Sequence, residues 1–77
     1  MNKQLESGKA TREQLACIEE HVQCRLLGRV RDFQLVFRDG GLVLRGHVHT
    51  YYTKQLAQHA VGETTELPIW ANEIEVS

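Results

Sequence analysis

A chain of 77 residues with 42% hydrophobic residues, 25% charged residues and one proline has the size of one small domain, which excludes a deep interior pocket and a disordered or collagenous chain. Its net charge of −1 supplies no global field to draw nucleic acid or anionic lipid, so either would have to be held by a local patch. No apolar run approaches the roughly 20 residues of a membrane span, and the opening "MNKQLESGKATREQ" lacks the apolar core of a secretory signal; the expected location is cytoplasmic, with any membrane association peripheral.

Residues 1–10 are polar and contain Ser7-Gly8, which predicts a flexible tail ahead of a single domain over 11–77. Thr11 then stands three residues before Gln14, the capping-box spacing that opens a helix. Leu15, Ile18, Val22 and Leu26 follow on one helical side, and Gly28 is expected to end the helix as a C′ residue of positive φ.

Phe33, Leu35 and Phe37 alternate with Gln34, Val36 and Arg38, the period of a half-buried strand. Asp39-Gly40 suits a two-residue type I′ turn, which needs positive φ at both positions. That turn sets a register with Arg38 opposite Gly41, Phe37 opposite Leu42, Leu35 opposite Leu44 and Phe33 opposite Gly46, so that Asp32 would face His47. A glycine inside a strand marks a close approach or a bulge. Here Gly46 is expected to make room for the Phe33 ring or an overlying helix, with a bulge at Gly46 as the alternative.

A second helix is expected after Thr50, with Tyr52, Leu56, Ala57 and Ala60 inward and its end at Gly62. "ETTELP" reads as a loop, and Pro68 cannot donate a ladder bond, so the last strand begins after it. In "IWANEIEV" the alternation puts Trp70, Asn72, Ile74 and Val76 on one side and Ala71, Glu73 and Glu75 on the other. Asn72, in phase with apolar neighbours, needs hydrogen-bond partners and is expected to tie a loop or helix end to the strand.

The order αββαβ, carrying "DGGLVLRGHV", a helix and then "IWANEIEV", resembles the BON domain, named for bacterial OsmY and nodulation proteins. The motif positions are Gly40, Leu42, Leu44, Gly46 and Val48, then Asn72, Ile74 and Val76; Glu66-Leu67 departs from the glycine-valine usual before the last strand. The resemblance implies an α+β fold, a two-layer α/β sandwich with two helices on one face of a three-stranded mixed sheet. It also implies a non-enzymatic module, without cofactor, that associates with phospholipid surfaces or a protein partner, often in envelope and stress contexts.

Several residue groups are candidates for chemistry. Cys17, His21 and Cys24 lie within about 60° of one another on a helix of 100° per residue, turned from the apolar stripe. Two cysteines in such a chain are expected to be reduced thiols. Their stripe suits three readings: an exposed or tail-covered face, a zinc site with thiolate and imidazole ligands, or a self-associating face that forms a homodimer. A metal- or redox-responsive regulator built on this stripe is the alternative to the binding module. His47 and His49 share a strand face, but two ligands alone make a weak metal site, and solvated strand histidines are commoner.

Arg25, Arg29 and Arg31 form a small basic cluster, more often a solvated helix end than a patch. Val36 and Val43 fall at the middle of the face opposite the helices, ringed by Gln34, Arg38, Arg45, His47 and Glu73. These residues make Arg25, Arg29, Arg31, Val36, Val43 and Arg45 the candidate lipid or partner surface, and an exposed aliphatic pair in a charged rim suits a protein better than a bilayer. Stacking aromatics and a basic stripe are lacking there, which argues against nucleic acid. Glu73 and Glu75 have no cleft for acid–base work.

Overall fold

The computed structural model describes residues 11–77; the expected tail over 1–10 lies outside the described residues. Six elements follow in order: α1 (Arg12–Arg25), β1 (Arg31–Arg38), β2 (Gly41–Val48), α2 (Tyr51–Thr64), β3 (Ile69–Asn72) and β4 (Glu75–Val76). They form a compact α+β fold of two helices and a mixed sheet. β2 is its central strand, antiparallel to β1 and parallel to both β3 and β4.

The expected third strand is present but interrupted. β3 pairs with Leu42–Leu44 and β4 with His47–Val48, so the two lie end to end along one side of β2. Asn72 ends β3 at the break. Its Nδ2 donates to the Lys54 carbonyl at 3.1 Å and to Gln58 Oε1 at 3.2 Å, while its Oδ1 accepts from the Ile74 N–H at 3.2 Å. One side chain thus ties α2 to the sheet and holds the chain between β3 and β4, as its place among apolar residues predicted.

α1 opens on the capping box: the Gln14 N–H donates to Thr11 Oγ1 at 3.1 Å and the Thr11 N–H to Gln14 Oε1 at 2.9 Å. Its C-terminus differs from expectation by one residue. Leu27, at φ 56°, is the C′ residue, and Gly28, at φ 72°, comes next. The Gly28 N–H donates to the Gln23 carbonyl at 3.0 Å and the Leu27 N–H to that of Cys24 at 3.3 Å, the paired bonds of a Schellman motif. α2 runs on through Gly62 to Thr64, and it buries Thr53, Ala57, Ala60 and Val61. Tyr52, expected inward, is exposed, because the buried set begins one residue later at Thr53.

The core is a single cluster beneath both helices. Val22 and Leu26 of α1 and Ala57, Ala60 and Val61 of α2 meet Phe33, Leu35, Leu42, Leu44, Val48 and Ile74 of the sheet, with Val30 from the α1–β1 connection. Leu42, Leu44 and Ile74 are among its largest fully buried side chains, each contributing about 1.5–3 kcal/mol by leaving water. Leu15 and Ile18 pack at its margin, which completes the α1 stripe.

Asp39 and Gly40 both have positive φ, at 53° and 82°, as the type I′ turn requires. The register from Arg38↔Gly41 to Leu35↔Leu44 agrees with expectation, then shifts: Gln34 still faces Arg45, but Arg31, not Asp32, faces His47. Asp32 and Phe33 together stand across from Gly46, a bulge in β1 with Asp32 at φ 54°. What needs Gly46 is neither the Phe33 ring nor a helix. A Cβ there would stand 3.0 Å from the Arg31 carbonyl oxygen, 3.0 Å from Val30 Cγ1 and 3.3 Å from Phe33 Cα, at φ 153°.

Candidate functional site

The sheet face away from the helices is the candidate surface. Residues paired across β1 and β2 share a face, so Gln34, Val36 and Arg38 of β1 and Gly41, Val43, Arg45 and His47 of β2 lie there, opposite the buried Leu35, Leu42 and Leu44. Ala71 and Glu75 join them by pairing with Val43 and His47.

Trp70 is the unexpected member. Alternation assigned it to the side of Ile74, but β3 slips by one residue between Leu42↔Ile69 and Val43↔Ala71. That irregularity turns the indole to the outer face, where it covers Gly41 so closely that a Cβ at Gly41 would overlap the ring. Its Nε1 donates to the Arg38 carbonyl at 2.8 Å, and its side remains 55% exposed. The ring is therefore fixed by a hydrogen bond and a bare backbone while presenting apolar surface to solvent. Two signals in the sequence pointed this way. The type I′ turn uses Asp39 and Gly40 but has no need of a third residue lacking a side chain, and a tryptophan needs a partner for its N–H.

Val36 and Val43 pair as expected, yet they are not an exposed aliphatic pair. Val43 is only 7% exposed and Val36 half-buried, because neighbours on three strands close over the centre of the face. Around them stand charges of both signs. Arg45 Nε is 4.0 Å from Glu73 Oε1, and His47 Nε2 is 3.2 Å from Glu75 Oε1. His47 thus pairs with Glu75 across β2 and β4, not with Asp32. His49, past the end of β2, helps line a shallow open depression of about 280 Å³ with Arg31, Asp32, His47 and the C-terminal Ser77.

The basic cluster is divided. Arg25 Nη1 donates to Glu63 Oε1 at 2.8 Å, and His59 Nε2 lies 3.0 Å from Glu63 Oε2. The Arg25 hydrogen bond first, and the neighbouring His59 second, hold the Glu63 carboxyl below the usual carboxylate range. Arg29 and Arg31 are exposed, so two of the three arginines are without this partner.

Cys17, His21 and Cys24 are exposed on α1, and both cysteines are free thiols. Among the described residues no group of three or more His, Cys, Asp or Glu side chains is arranged to hold a metal ion. The stripe therefore shares a helix face without converging on a point. Of the motif residues, Leu44, Val48 and Ile74 are buried in the core, Gly40 makes the turn, Gly46 faces the bulge, and Val76 pairs with Val48 while remaining partly exposed.

No helix among the described residues is long and apolar enough to cross a membrane. In comparisons with protein-family models, curated proteins and solved structures, the chain matches none of them.

Proposed function

We propose that this chain is a non-enzymatic, BON-like binding module that works in the cytoplasm and takes a protein partner on its outer sheet face. The observation that carries the reading is Trp70, immobilised over Gly41 by its bond to the Arg38 carbonyl and still half exposed. Rigid aromatic side chains beside arginine dominate the energetics of protein interfaces, because they bury a large area without losing many rotamers. The mixed rim of Arg38, Arg45, Glu73 and Glu75 also favours a protein, which can answer both signs, over an anionic lipid, which answers one.

The test is a photo-crosslinking group placed at Gln34, on the outer face, and separately at Gln55, exposed on α2. A discrete adduct with a protein partner, whether a second copy of the chain or a different protein, is expected from Gln34 alone, and its loss in Trp70→Ser. Adducts only from Gln55, or retention by neutral vesicles that survives high salt, would overturn the reading.

A further inference from the structure

Charge on the outer face is sorted by strand. β1 carries Arg31 and Arg38, whereas Glu73 and Glu75 lie along the β3–β4 side, with the central β2 between. Read across the sheet, each row runs from the β1 edge to the opposite edge. Arg31, His47 and Glu75 form one row by direct pairing. Gln34 and Arg45 are paired, and Glu73, midway between Ala71 and Glu75 in the chain, completes that row within reach of Arg45. Val36, Val43 and Ala71 make the third, and Arg38, Gly41 and the indole of Trp70 the fourth.

We propose that this face is self-complementary, and that a second copy of the chain docks on it about a two-fold axis parallel to β2. The inference rests on the reading of the outer face as the binding surface and names its occupant. A two-fold contact sets the same patch against itself, and an axis along β2 reverses every row. Arg31 then faces Glu75 of the second copy, Gln34 faces Glu73, Val36 faces Ala71, and the Arg38 guanidinium lies over the Trp70 ring, a cation–π arrangement. An axis across the strands would instead bring the β1 edges together, arginine over arginine. Charge complementarity therefore selects one orientation, with the strands of the two sheets aligned as in sandwich packing.

Residues of β2 lie on the axis and meet themselves. Val43, 7% exposed, offers its counterpart only a small surface beneath its neighbours, while Arg45, the adverse pair, leans toward Glu73 of its own chain. Three strands about 4.8 Å apart and four rows about 6.8 Å apart give less than the roughly 800 Å² per partner of a standard interface, which puts the contact among small, transient ones, to be sought at protein concentrations from about 10 to 1000 μM.

The experiment is sedimentation equilibrium of the whole chain over that concentration range, beside amide NMR shifts followed through the same dilution. Wild type is expected to dimerise, with concentration-dependent shifts at Val36, Val43 and Ala71 and not along α1. Arg31→Glu alone and Glu75→Arg alone should each weaken association at least tenfold. The combined Arg31→Glu/Glu75→Arg protein should recover it to within about threefold, with thermal melts confirming that each variant folds. A monomer throughout, shifts confined to α1, or dimerisation indifferent to both single reversals would overturn the proposal, and the NMR arm decides it even where a variant fails to fold. Loss of the dimer in Cys17→Ser/Cys24→Ser would also overturn it, placing the contact on α1. If the chain is monomeric yet Gln34 still crosslinks to a different protein, the second copy is refuted and the binding-surface reading survives.

Discussion

Gly46 carries two constraints at once, a positive φ of 153° that side-chain-bearing residues rarely adopt and a Cβ position 3.0 Å from the Arg31 carbonyl oxygen. A side chain there must strain its own backbone and push away a neighbouring one. Gly46→Val should therefore cost about 2–4 kcal/mol, combining backbone strain with overpacking, read as a lower urea midpoint at unchanged slope. An unchanged midpoint would mean that the bulge at Asp32 and Phe33 yields freely. Gly41 is a contrasting case: the atoms its side chain would meet belong to the Trp70 ring, so a Cβ there would displace the indole and break its bond to the Arg38 carbonyl while leaving the backbone in place.

β1 forms an edge of the sheet, and an edge strand presents unpaired N–H groups to any neighbouring strand. α1 answers one of them: Glu19 Oε2 accepts from the Leu35 N–H at 2.8 Å. Glu19→Ala is expected to speed hydrogen exchange at the Leu35 amide, whereas Glu19→Gln, which keeps an oxygen acceptor, should leave it closer to wild type. Exchange measured by NMR decides between them, and equal rates in all three proteins would show that the bond does not persist in solution.

The two helices are joined at Arg25 and Glu63. Because the fold lowers the Glu63 pKa, the pair's contribution is present above the unfolded carboxylate's pKa and is lost as pH falls through the depressed folded value. Both side chains are substantially exposed, so the effect on stability is small. In Arg25→Gln the titration midpoint of the Glu63 carboxyl carbon should rise toward the ordinary value. An unmoved midpoint would assign the shift to His59 instead.

Among the described residues the basic cluster offers an anionic bilayer few free charges. With Arg25 engaged, Arg29 and Arg31 remain of the basic cluster, each worth about 1 kcal/mol near a charged bilayer before screening. Co-sedimentation with anionic vesicles should be marginal at low salt and absent at physiological salt, since exposed charges are screened beyond roughly 8 Å; neutral vesicles should retain nothing. Retention by anionic vesicles that persists at physiological salt would return the lipid surface to first place.

Much of this architecture is legible in the residues alone. Thr11 with Gln14 specifies how α1 begins, Asp39-Gly40 how the hairpin turns, and the alternation through Leu35, Leu42 and Leu44 which face is buried, because each depends on interactions within a few residues or on a simple period. Pairing at a distance escapes such reading. The bulge at Asp32 and Phe33 moves Arg31 opposite His47, and the slip in β3 carries Trp70 from the expected core side to the outer face. A period-two pattern assumes an unbroken ladder, so one added residue reverses the side it assigns. Sequence by itself determined the element order as far as the last strand, whose division into β3 and β4 it did not show, together with the core stripe and the glycine-dependent turn. Only the tertiary structure decided where the indole points and which charges share its face, since those follow from the meeting of strands far apart in the chain.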